Sequence, residues 1–167
     1  LRIAFVLSLS GKVDEGLEHL GNVRAQDDNQ GFDLVRARGE MLTDHNRLDE
    51  AMAAYDKALG DDGYNTELLY TRAMLAEKMG RLDLLERDLR AILKEEPDNA
   101  QALNALGYTL ADRTMRYDEA LVLITKALVL VPNDFYVLDS MGWVLYRLGR
   151  LDEAVEYLRS ARELHND

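Results

Sequence analysis

The chain has 167 residues, 47% of them hydrophobic and 31% charged, with a formal net charge of −11 and no cysteine. That balance is the composition of an ordinary globular domain. The acidity excludes the clustered Lys and Arg that nucleic acid or an anionic membrane surface demands, and the lack of cysteine excludes disulfides and thiolate metal sites while leaving the compartment open.

Taken in chain order, the first element is the apolar run Leu1 to Ser10, followed by Gly11 and the acidic turn Val13-Asp14-Glu15. The run has the apolar character of a signal-peptide core but no basic leader, and Ala4 and Leu7 keep helical register, which predicts a helix. A second hairpin follows, with a stop at Asn46 and the turn Leu48-Asp49-Glu50, and a third with Gly80 and Leu82-Asp83-Leu84. The fourth turns at Tyr117-Asp118-Glu119 and the fifth at Gly149 and Leu151-Asp152-Glu153. The five aspartates lie 35, 34, 35 and 34 residues apart, the period of stacked helical hairpins. Glycine or asparagine at the stop fits a left-handed cap ending the first helix, and the acidic pair then favours the positive end of the second.

Other positions keep the same phase. Ala4, Gly39, Ala73, Gly107 and Gly142 occupy one of them, and Gly16, Ala51, Leu85, Ala120 and Ala154 another, so small residues stand where helices must approach closely. Val23, Ala58, Ile92, Ala127 and Ala161 continue the second helix, while Asp28, Gly63, Pro97, Pro132 and Asn166 mark the boundary to the next unit. In the fifth hairpin the seam is expected from Leu138, Met141, Leu145 and Leu148 on the first helix and Val155, Leu158 and Ala161 on the second. The fourth hairpin carries one extra residue within Asp112 to Arg116 and no stopping glycine, which predicts a locally wider turn.

These five in-phase copies make the chain resemble the tetratricopeptide repeat family along essentially its whole length. The resemblance implies an all-α fold, a right-handed superhelical solenoid of antiparallel helix pairs. The units run over residues 1–31 (a truncated first repeat), 32–65, 66–99, 100–134 (with the insertion) and 135–167. Because Leu1 then falls inside a first helix, the chain reads as a piece of a longer array. The resemblance also implies a concave wall lined by the first helix of each pair. In the second unit that wall presents the charged set Asp33, Arg36, Glu40, Thr43 and Asp44. Partner-binding candidates are Tyr70 and Met74 in the third unit, Asn104 and Tyr108 in the fourth, and Tyr136, Asp139, Trp143, Tyr146 and Arg147 in the fifth. Tyrosine and tryptophan supply large, stiff contact area, Asn104 can pair with a peptide backbone, and Arg147 can hold a carboxylate. The same rings can equally pack as structural aromatics against the neighbouring helix. The Lys, Arg and Asn set with which some members grip chaperone tails is missing, since Tyr70, Met74, Ala105 and Ser140 stand in its place.

No constellation for catalysis, cofactor or metal emerges. His19, His45 and His165 lie in different units without a second ligand at helical spacing. Ser10-Gly11-Lys12 lacks the upstream glycine and strand of a phosphate loop, and Asp27-Asp28-Asn29 and Asp61-Asp62-Gly63 lack the distant glutamate of a calcium loop. The reading is a non-enzymatic scaffold or adaptor that binds a protein or peptide segment, without nucleic acid, cofactor or direct membrane insertion. Two segments, Asn104 to Thr114 and Val137 to Arg150, resemble the C-terminal repeats of proteobacterial periplasmic tetratricopeptide lipoproteins that recruit a carboxyl-terminal processing protease. That implies a periplasmic location, with the cytoplasm as the alternative. The competing readings are a self-associating structural module, through an exposed Val155, Leu158 and Leu164 stripe on the terminal helix, and the docking arm of a larger enzyme.

Overall fold

The computed structural model describes residues 1–60 and 63–166, and every regular element among them is a helix. In order these are α1 (Arg2–Leu9), α2 (Val13–Gly21), α3 (Asp28–Asp44), α4 (Leu48–Leu59), α5 (Thr66–Lys78), α6 (Leu82–Glu95), α7 (Ala100–Arg113), α8 (Tyr117–Leu130), α9 (Phe135–Arg147) and α10 (Leu151–Asn166). The chain forms two compact units, Leu1–Asp88 and Leu89–Asp167, with the division inside α6. Within the first, α1 packs on α2 and α3 on α4; within the second, α7 packs on α8 and α9 on α10. The Asp61-Asp62 pair lies outside the described residues.

The two kinds of helix begin differently, and the sequence explains why. Asp27, Asn65, Asn99 and Asp134 cap α3, α5, α7 and α9, each side chain accepting a backbone N–H from the first turn. Such a cap contributes about 1 kcal/mol. At α3 the cap is reciprocal, because Gln30 Oε1 accepts from the Gln26 N–H at 2.7 Å. The Asp27-Asp28-Asn29 run is thus a helix start. The second helices instead follow a cation, and in all but α6, where Leu84 takes the glutamate's place, it pairs with a glutamate three residues on: Lys12 with Glu15, Arg47 with Glu50, Arg116 with Glu119 and Arg150 with Glu153.

Gly11, Asn46, Gly80 and Gly149 all have positive φ, as the left-handed stop requires. The fourth hairpin turns without one. Thr114 is extended there (φ −136°, ψ −175°), its hydroxyl donates to the Leu110 carbonyl, and the same oxygen accepts from the Arg116 N–H at 3.1 Å. The extra residue is absorbed by a side chain that replaces backbone hydrogen bonds.

Close approach of the helices depends on the small residues. A Cβ on Gly39 would collide with the ring of Tyr55, on Gly107 with Ile124 Cγ1 at 2.6 Å, and on Gly142 with Leu158 Cγ at 2.6 Å. Tyr55, Leu106, Ile124 and Leu145 are correspondingly sealed in the core, each aliphatic side chain contributing about 1.5–3 kcal/mol. Two expectations need correction. Helix α2 ends at Gly21, so Val23 lies in the connection rather than in the helix; Gly21 and Asn22 are poor helix formers. On α10 only Ala154 and Ala161 of the seam are buried; Leu158 reaches over Gly142 but is 38% exposed, and Val155, a residue further round the helix, is 44% exposed.

Candidate protein-binding face

In the first unit, α3 and α5 carry a wall built from charge. Arg36 reaches Asp33 at 3.1 Å, Glu40 at 3.4 Å and Glu67 at 3.4 Å, all on partly exposed side chains. Hydrogen bonding to Asp33 raises the Arg36 pKa, against the opposing effect of burial. Tyr70 and Met74, the two candidates on α5, are half-buried in this unit.

Behind that wall lies a feature that residue-by-residue pattern reading overlooked. Arg72 is almost completely buried; its Nε and Nη2 donate to the two oxygens of Asp88 at 2.7 and 2.9 Å, and Nη1 donates to Asp56 at 2.8 Å. Burial alone would lower the Arg72 pKa, but Asp88 and Asp56 outweigh it and the pKa is raised. The available sequence signal was an arginine at a helix position where the fourth and fifth repeats place Leu106 and Met141.

In the second unit, α7 and α9 carry a face of different chemistry. Trp143 and Tyr146 stack with ring centroids 5.4 Å apart, and the Arg147 guanidinium lies 5.8 Å from the Trp143 ring and 4.9 Å from Tyr117. The structure therefore brings Trp143, Tyr146 and Arg147 into one cluster. Arg147 is committed within the unit: it donates to the Asp112 carbonyl at 3.2 Å and to the Tyr117 hydroxyl at 2.8 Å. Its task is to tie α9 to the turn between α7 and α8. Tyr146 is 52% exposed and Tyr136, its ring tilted against Phe135, is 65% exposed; Asp139 is exposed as well.

Asn104, Tyr108 and Trp143 are half-buried on the same two packed helices. Asn104 Oδ1 and Trp143 Nε1 are buried atoms without a hydrogen-bond partner. One is an acceptor and the other a donor, and each unmet group costs roughly 1–3 kcal/mol. Elsewhere, His45 Nδ1 lies 2.9 Å from the Met41 carbonyl and the His165 ring lies tilted beside Phe135, so both rings have structural neighbours. Among the described residues no cluster of three potential metal ligands occurs, and no helix is long and apolar enough to cross a membrane.

Comparison with known proteins gives the arrangement its lineage. Tetratricopeptide repeat family models match residues 10–66, 70–135 and 136–166. The chain is 46% identical over all 167 residues to the TPR repeat-containing protein PA4667 of Pseudomonas aeruginosa, and it spans 28% of that protein's length. It is 28% identical over 116 residues to the mouse tetratricopeptide repeat protein 21A, covering 9% of that much longer chain. In fold it is similar to a tetratricopeptide repeat protein from Parabacteroides merdae, with a TM-score of 0.80 at 20% identity over 99% of this chain and 66% of that one. It is also similar to MamA, with a TM-score of 0.77 at 20% identity over 98% and 95% of the two chains. The helix pairs, the small-residue contacts and the family models agree: the chain belongs to the tetratricopeptide repeat family.

Proposed function

We propose that the chain is a non-enzymatic interaction module that holds an extended segment of a partner protein against the α7 and α9 face. Interaction scaffolding is the general work of tetratricopeptide proteins. The observation that carries the reading here is two orphaned atoms, Asn104 Oδ1 on α7 and Trp143 Nε1 on α9, on packed helices that also carry the exposed rings of Tyr136 and of Tyr146, the latter stacked on Trp143. A peptide group brings one N–H and one C=O, the complement of that pair. The rings supply apolar area on stiff side chains, so little ordering entropy opposes binding.

The test is direct. A peptide selected against the chain from a random display library should bind the wild type, and the Tyr108→Ala, Trp143→Ala double variant should lose at least about 30-fold in affinity, a hot-spot effect near 2 kcal/mol. Thermal unfolding of both proteins accompanies the titration. Unchanged affinity in a folded double variant contradicts the reading.

A narrower reading concerns the cellular role. The resemblance of Asn104 to Thr114 and Val137 to Arg150 to envelope adaptors, together with the Pseudomonas relative, supports a periplasmic adaptor that delivers substrates to a carboxyl-terminal processing protease. Its test is whether that protease co-purifies with the wild-type chain and is lost with the double variant.

A further inference from the structure

We propose that a groove between α3 and α4 in the first unit receives a glutamate side chain from a partner protein, at a site separate from the α7 and α9 face. The argument starts from two arginines in corresponding places. Arg38 and Arg72 lie 34 residues apart, one repeat. Arg72 is matched by Asp88 from the following helix and Asp56 from the preceding one. At the positions corresponding to those aspartates in the preceding repeat stand Ala54 and Gly21, neither of which carries a carboxylate.

The consequence is an arginine without its carboxylates. Arg38 is half-buried and donates to the Leu17 carbonyl at 3.3 Å, but among the described residues no carboxylate lies within ion-pair distance of it. Instead its side chain borders a groove of about 610 Å³ whose floor is Val35, Leu42, Ala54 and Ala58 and whose rim adds Lys57 and Glu50. Glu50 is already held by Arg47 through two hydrogen bonds of 2.7 and 2.8 Å. Glu50 also feels the Arg38 charge, though no ion pair joins them, and with Arg38 and Lys57 against this one carboxylate the lining stays cationic in a chain of net charge −11.

A guanidinium partly withdrawn from water gains most from a charge-assisted, bidentate carboxylate partner. The apolar floor suits the methylene stem that carries such a carboxylate. A glutamate side chain has both parts, and Ala54 leaves open the place where Asp88 serves Arg72.

The experiment is an NMR titration of the full chain, following the Arg38 Nε–H signal, which is identified by its absence in Arg38→Gln. The probes are N-acetyl-glutamate N-methylamide, its glutamine analogue and sodium butyrate. The glutamate probe should give a saturable shift, with at least tenfold weaker binding of the glutamine analogue and of butyrate. Ala54→Asp should move the Arg38 signal without any probe and abolish the response, whereas Ala54→Asn keeps it. An equal response to glutamate and glutamine, or other glutamate-induced shifts around the groove that survive in Arg38→Gln, overturns the proposal. Butyrate binding as tight as the glutamate probe assigns the groove to a small carboxylic acid and likewise overturns it. Should Ala54→Asp fail to fold, Arg38→Gln alone decides.

Discussion

The two compact units use the same hairpin and give its first helices different chemistry. In Leu1–Asp88 the helices carry ionic lattices: Arg72 with Asp88 and Asp56, Arg36 with three carboxylates, Arg47 with Glu50 and Asp14. In Leu89–Asp167 the corresponding helices carry Leu106 and Met141 in the core and an aromatic cluster of Trp143, Tyr146 and Tyr117 around Arg147. The frame depends on few positions, the small residues and the turn stops, which leaves the remaining positions free to vary. A repeat protein can therefore change what it recognises from one unit to the next without changing how it folds.

The contrast breaks most sharply at the buried ion pair. Arg72→Ala leaves buried Asp88 with only the exposed Arg87 at 3.3 Å and should cost about 3–5 kcal/mol, read from urea unfolding. A loss below about 1 kcal/mol would mean that water reaches the site and that the first unit does not depend on the pair. Next in size are the glycine contacts that both units share. Gly39→Ala and Gly107→Ala each force a methyl against Tyr55 or Ile124 and should cost about 1–3 kcal/mol; costless substitution of both would remove close approach as the basis of the frame.

A smaller effect of opposite sign is expected at Tyr55, whose hydroxyl is buried without a partner and whose pKa is raised by desolvation. Tyr55→Phe removes the stranded group and should raise stability by up to about 1 kcal/mol in thermal unfolding. Any loss would reveal a partner for that hydroxyl. The least of the four effects is the acid limb. Glu50 is held below the usual carboxylate range by Arg47, Glu119 by Arg90 and Arg116, and Glu153 by Arg150. Folded pKa values below the unfolded value of ~4.3 give stability that is present above that pH and lost as pH falls through the folded values. Replacing Glu119 by Gln should flatten the acid limb of a stability–pH profile in the second unit, as Glu50→Gln should in the first. An unchanged limb in both variants would show that these surface pairs contribute nothing measurable.

Periodicity made the frame legible in the sequence. Spacing alone located the helix pairs, the left-handed stops and the glycines under Tyr55 and Ile124, because backbone geometry and close approach restrict those positions to few residue types. The early end of α2 was hidden, since a repeat phase says where a helix belongs and not whether Gly21 and Asn22 sustain it. The ionic core was harder still. Arg72 and Asp88 are ordinary surface residues by type, and only their coincidence across two helices makes them interior. On the candidate face the aromatic positions were visible, but not that Arg147 is spent on Asp112 and Tyr117, partners 35 and 30 residues distant in sequence.

The most direct test of the proposed recognition uses the chain's only tryptophan. Its indole Nε1–H gives a single side-chain NMR signal, now without an acceptor. On saturation with a selected peptide that signal should move downfield as the N–H gains a carbonyl partner. A peptide that binds tightly while the signal stays in place would put the recognition surface elsewhere and contradict the account.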